Sequence, residues 1–222
     1  MSYFTPAFFR FFDQLKKNNN KEWFDKNRET YEKEVKGPFK QFVTRIMTEL
    51  AKDHPDFQQN PSKAIFRINR DIRFSKDKSP YKTNVGALFN RSGTKDVRPG
   101  YYLHIGAGEV FLGGGMYDVD KANLEKIRQE IYYNADTFKK LLADKSFKAL
   151  YGGVVQGEQN KILPAEYKEF AKEQPYIANK QFYYMAQLKK EDVLSKDFDK
   201  VVLKHYKAAA KFNDFLLHAI AD

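Results

Sequence analysis

The stretch Ala64-Ile65-Phe66-Arg67-Ile68-Asn69-Arg70-Asp71-Ile72-Arg73-Phe74 is where the chain changes period. Ala64, Phe66, Ile68, Ile72 and Phe74 fall on even positions, and Arg67, Asn69, Asp71 and Arg73 on odd ones, the two-residue alternation of a half-buried strand. Strand-like runs follow at 85–90, 100–106 and 109–113. The last two are separated only by Ala107-Gly108, which predicts a tight antiparallel hairpin. A further strand is expected at 182–188. Strands gathered between helical segments predict an α+β fold, an antiparallel sheet from the middle of the chain packed by N-terminal and C-terminal helices.

Outward from that centre the period is helical. Thr5 is a natural N-cap, Pro6 suits the first helical position, and Phe4 against Phe9 predicts a hydrophobic staple closing a helix over 6–17. After Asn18-Asn19-Asn20 a second helical stretch carries Trp23, Phe24 and Tyr31. Gly37-Pro38 is expected to stop it and open a third helix, in which Phe39, Phe42, Val43, Ile46, Met47 and Leu50 share one face. Beyond Gly113-Gly114-Gly115 a helix capped by Asp118 or Asp120 places Leu124, Ile127, Arg128 and Ile131 on one stripe. Helices are expected around 135–150 and 164–172, then a long closing helix with the stripe Val201, His205, Ala208, Phe212, Phe215 and Ala219. With no internal repeat and no low-complexity linker, residues 1–222 read as a single domain.

Composition removes whole classes of function. The chain has 222 residues and no cysteine, which excludes disulfides, thiol nucleophiles and cysteine-ligated zinc or iron–sulfur sites. His54, His104, His205 and His218 show no metal-ligand spacing, so no metal site is expected, and His205 reads as a core residue. No G-x-S-x-G elbow or phosphate-binding G-x-x-x-x-G-K-[S/T] loop occurs, and no particular cofactor is implied. Gly106-Ala107-Gly108-Glu109-Val110-Phe111 begins like a dinucleotide fingerprint, but Phe111 stands at the third glycine. No apolar run reaches membrane-spanning length, and the Phe-rich start lacks the basic residues that precede a signal peptide's apolar core. The expectation is a cytoplasmic protein with no membrane partner.

Charge is the positive signal. The chain carries +10 at neutral pH, which draws anionic partners, whether phosphates, acidic metabolites or nucleic acid. Between Arg67 and Lys82 stand Arg67, Arg70, Arg73, Lys76, Lys78 and Lys82 against only Asp71 and Asp77. A continuous strand would set Arg70 on the apolar face, among Phe66, Ile68, Ile72 and Phe74. A buried guanidinium cannot lose its proton, so it needs an anion. Asp71 through a bulge, Glu109 from a neighbouring strand, or a ligand's carboxylate or phosphate are the alternatives.

The run from Arg67 to Tyr81 resembles the signature of a mostly bacterial family of unassigned activity, domain of unknown function 2461. The resemblance marks Arg67, Arg70, Asp71, Arg73, Phe74, Asp77, Lys78 and Tyr81. Lesser similarity at Asn19 to Phe24, at Gly113-Gly114-Gly115 and at Leu124 to Arg128 extends it over most of the chain. It implies where a site lies and not what the site does.

Three readings stay open. In the first, Arg67, Arg70, Arg73 and Lys78 bind a phosphate- or carboxylate-bearing small molecule, Asp71 and Asp77 orient the arginines, and Tyr81 closes the site. Arg128 is a further ligand-binding candidate, and Gly113, Gly114 and Gly115 are candidates for close backbone approach. Asp71 and Asp77 are the only candidates for acid–base chemistry in a basic setting, so an enzyme remains open. In the second reading the net charge, with 14 Tyr, 20 Phe and one Trp, serves nucleic-acid binding. In the third, the segment is an ion-pair network and function lies in a protein-partner surface.

Overall fold

The computed structural model describes residues 2–92 and 98–221. Helix α1 (Pro6–Lys17) starts as its sequence directs, with the Thr5 side chain accepting from the Ala7 N–H. The staple partner of Phe4 is Phe8 rather than Phe9, ring centroids 4.8 Å apart. Next come α2 (Lys21–Lys26), capped by Asn20, and α3 (Arg28–Tyr31). Gly37-Pro38 does not stop the helix. Residues Glu32–Lys36 widen into a π-helical turn, the Gly37 N–H reaches back to the Glu32 carbonyl, and α4 (Gly37–Asp53) continues without a break. The wider turn accommodates Pro38, which brings no N–H and whose ring needs room against the preceding turn.

Helix α5 (Pro61–Ala64) and the residues after it correct the reading of 64–74. No continuous strand forms there. Isolated antiparallel bridges Ile65–Ala87 and Asn69–Tyr81, with Arg70 N–H to Pro80 O at 2.9 Å and Lys82 N–H to Ile68 O at 2.8 Å, make an irregular ribbon. At its tip, carboxylates take backbone donors that a strand would need for its ladder: Arg73 N–H donates to Asp71 Oδ1 and Ser79 N–H to Asp77 Oδ1. Such local turns compete with sheet pairing, and Pro80 offers no N–H at all. Phe74, expected on the buried face, is 96% exposed.

The sheet is four-stranded and antiparallel, in the order β1 (Asn84–Asn90), β2 (Gly100–Gly106), β3 (Val110–Met116), β4 (Phe182–Leu188), with Ala107-Gly108 in the β2–β3 hairpin as expected. Helix α6 (Lys121–Tyr133) takes Asp120 as its cap. The helix expected over 135–150 is two, α7 (Ala135–Ala143) and α8 (Lys145–Tyr151), because Asp144 accepts from the Ser146 and Phe147 N–H groups and starts a new helix. Short helices α9 (Ala165–Lys168), α10 (Phe170–Glu173) and α11 (Lys190–Leu194) lead to the long α12 (Phe198–Ala219). In α12 His205, Phe212 and Phe215 are buried as expected, and the buried face is wider than the expected stripe, taking in Val202, Tyr206, Ala209, Asn213 and Leu216 as well.

The fold is thus α+β. Its contacts group into two compact units, one of Met1–Lys95, Tyr102–Leu112 and Gln187–Leu203, the other of Asp96–Tyr101, Gly113–Ala186 and Lys204–Asp222. The first has a phenylalanine core in which Phe42 stacks on Phe198 at 4.9 Å and packs against Phe4 at 5.3 Å. In the second, Tyr184 is surrounded by Phe147, Tyr151 and Phe212, and its hydroxyl meets the Asn213 carboxamide. Among the described residues no helix is long and apolar enough to cross a membrane.

Candidate functional site

The ribbon carries the cationic segment and its acids. Arg70 finds its anion in neither Asp71 nor Glu109. Its Nη1 pairs with Asp77 and also donates to Ser79 O, and Nη2 reaches Ser75 Oγ. Glu109 instead faces His104, 3.3 Å from its Nε2, where burial pulls the imidazole pKa down. Arg73 forms a forked pair with Asp71, Nε to Oδ1 at 3.0 Å and Nη2 to Oδ2 at 2.7 Å. Lys78 Nζ donates to Ile72 O at 3.0 Å. The tip is therefore tied across itself by Arg70 and Lys78, and Arg73 closes a local pair.

Both carboxylates are held ionised. The Ser79 hydroxyl and N–H, then the Arg70 guanidinium, bring Asp77 down to about 2. Asp71 is lowered by the Arg73 side chain first, then by the Arg73 N–H, with a contribution from the charge of Arg67. Among the described residues Arg67 and Lys76 have no hydrogen bond or ion pair of their own. The Phe74 ring projects beside Arg73, whose guanidinium carbon lies 5.9 Å from the ring centroid.

The base of the ribbon is anchored by residues that the charge pattern alone does not reveal. Tyr81 is buried and stacks on Phe24, ring centroids 4.1 Å apart. Asn19 brackets its peptide, Oδ1 accepting from Tyr81 N–H at 3.1 Å and Nδ2 donating to Tyr81 O at 2.8 Å. In sequence Asn19 reads as a helix break. Its adjacency to a segment 62 residues away leaves no local signal.

The remaining sequence candidates stand elsewhere. Gly113, Gly114, Gly115 and Arg128 belong to the second unit, whereas residues 67–81 belong to the first. The close approach the glycines permit is that of β4: a Cβ on Gly113 would meet Tyr184 O at 2.8 Å, and one on Gly114 would overlap Tyr184 Oη and Gly100 O. Gly115 has a positive φ of 88° and lies against Phe182 O. Arg128 is buried on α6 and donates from Nε to Ile177 O at 3.0 Å. No group of three or more metal-ligating side chains stands together among the described residues.

Residues 7–215 match the model of a family described as conserved hypothetical protein (DUF2461). The chain belongs to that family, in agreement with the resemblance carried by Arg67 to Tyr81. No curated protein matches it significantly.

Proposed function

We propose that the 67–82 ribbon is a recognition element for an anionic, phosphate- or carboxylate-bearing small molecule. One observation carries this reading. Asp71 and Asp77 fix the shape of the tip without cancelling its charge, leaving Arg67 and Lys76 without an ion pair among the described residues, beside the tied Arg70, Arg73 and Lys78. A ligand then meets cations already positioned, which lowers the entropy cost of binding. Binding is favoured over acid–base catalysis, since a carboxyl held near 2, as Asp77 is, has no proton to give at neutral pH. Tyr81 supports the site from beneath through its stack on Phe24. A cytoplasmic location and a single domain over residues 1–222 belong to the same proposal, the latter tested by one calorimetric unfolding transition.

Nucleic acid is the second reading, favoured by the exposed Phe74 ring, a face on which a base can stack while Arg67 and Lys76 meet phosphates. Titration calorimetry of the full chain with pyrophosphate, citrate and a twelve-nucleotide oligothymidylate separates the two. The small-ligand reading expects pyrophosphate or citrate binding that is lost in the Arg67→Ala/Lys76→Ala double variant with melting unchanged. Nucleic acid expects oligonucleotide affinity that falls log-linearly with salt and depends on Phe74. Absence of binding by all three probes, with Arg70→Ala lowering the melting temperature by several degrees, assigns the segment to an ion-pair network.

A further inference from the structure

We propose that Arg128 is the centre of a second, separate anion site, one that takes a small carboxylate. Asp120 caps α6, and the packing of Ile127 and Ile131, both fully buried, turns the face carrying Arg128 into the protein, so that its side chain is only 7% exposed. The guanidinium uses Nε on the Ile177 carbonyl. Among the described residues Nη2 is shut off from solvent with no acceptor, and Nη1 makes no hydrogen bond.

Among the described residues no carboxylate forms an ion pair with this charge. Glu125 stands one turn earlier on α6, but its Oε1 accepts the Tyr167 hydroxyl at 2.6 Å, and it forms no ion pair with Arg128. The segment that supplies Ile177 O holds another unmet donor, the Nδ2 of buried Asn179. A guanidinium cannot deprotonate, and burial without a counter-charge is strongly unfavourable, so an anion from outside is the chemical complement. The edge left over, Nη1 with Nη2, is the fork that donates to two oxygens of one oxyanion. Glu125 nearby sets the ligand charge, because its field disfavours a dianion more than a monoanion, which selects carboxylate over phosphate.

The test is a titration of the full chain with sodium acetate, and separately with inorganic phosphate, against chloride at constant ionic strength. The readout is the arginine side-chain ¹⁵N spectrum together with thermal melting. Arg128 resonances are expected to move saturably with acetate, and melting to rise by about 3–6 °C at ten times the Kd. That rise should vanish in Arg128→Met and persist in Arg67→Ala/Lys76→Ala, which separates this site from the ribbon. Arg128 resonances that stay fixed in acetate overturn the site, even where Arg128→Met fails to fold. A stronger response to phosphate than to acetate overturns the carboxylate assignment.

Discussion

The tip of the ribbon and the interior around Arg128 place the same guanidinium chemistry in opposite surroundings. At the tip, Arg70 and Arg73 each have an acid a few residues away, and Asp71 and Asp77 are themselves open to water. Ion pairs so exposed add little stability, so their effect is on shape. Around Arg128 the cation has one carbonyl and, among the described residues, no ion pair. There the helix stripe and the close packing of neighbouring elements fix the position, and charge is a cost that only a counter-ion removes. The difference teaches that charge density in a sequence and charge frustration in a structure are separate signals. In the densest cluster Arg70 and Arg73 have acids of their own, while the isolated arginine on an apolar stripe forms no ion pair among the described residues.

The sharpest way to break the comparison is to disturb the packing that governs the second unit. Gly114→Ala puts a methyl group into Tyr184 Oη and Gly100 O, a site that Asn213 already ties by bonds of 3.2 and 3.1 Å to the same two groups. The expected loss is about 3 kcal/mol, or roughly 6–12 °C in melting temperature, read by differential scanning calorimetry. Next in size, Arg128→Met in chloride buffer without carboxylate replaces a frustrated charge by an apolar side chain. Melting is expected to rise by about 2–4 °C, since such replacements are often stabilising by 1 kcal/mol or more. A fall of similar size would show the guanidinium to be satisfied in the native state and remove the contrast.

At the ribbon the effects are smaller. Arg73→Ala removes one exposed forked pair and is expected to move melting by less than about 2 °C. The pH response is the finest test. Asp77 is depressed in the folded chain from the ordinary 3.8 to about 2, so its stabilising contribution is full above 3.8 and is lost as pH falls through about 2. Amide exchange of Ser79 N–H, which donates to Asp77 Oδ1, is expected to quicken across that window, and Asp77→Asn to abolish the change. An unaltered pH profile in the variant would show that the tip does not depend on its acids.

Much of the fold was legible because local chemistry decided it. The Thr5 cap, the face of α4, the Asp120 cap and the Ala107-Gly108 hairpin all stand as their spacing predicts. Where reading failed, a competing local bond or a tertiary contact prevailed. Even-odd alternation at 64–74 lost to carboxylates that capture backbone donors, which sends Phe74 outward. The continuous helix through Gly37-Pro38 needed a π turn that no period reveals. At the candidate site Asp71 and Asp77 pair with the arginines that the sequence marked them to orient, whereas the contact of Asn19 with Tyr81 could not be read, because the two are distant in sequence.

By itself the sequence determined the α+β class, the membership of the family, and a central segment whose cations outnumber its acids, since all three are written in residue type and short-range spacing. Only the tertiary structure decided which cations are answered. Pairing depends on distances and burial that spacing along the chain does not encode, so Arg70 closes on Asp77 while Arg128, folded inside by the stripe it shares with Ile127 and Ile131, meets a carbonyl and, among the described residues, forms no ion pair.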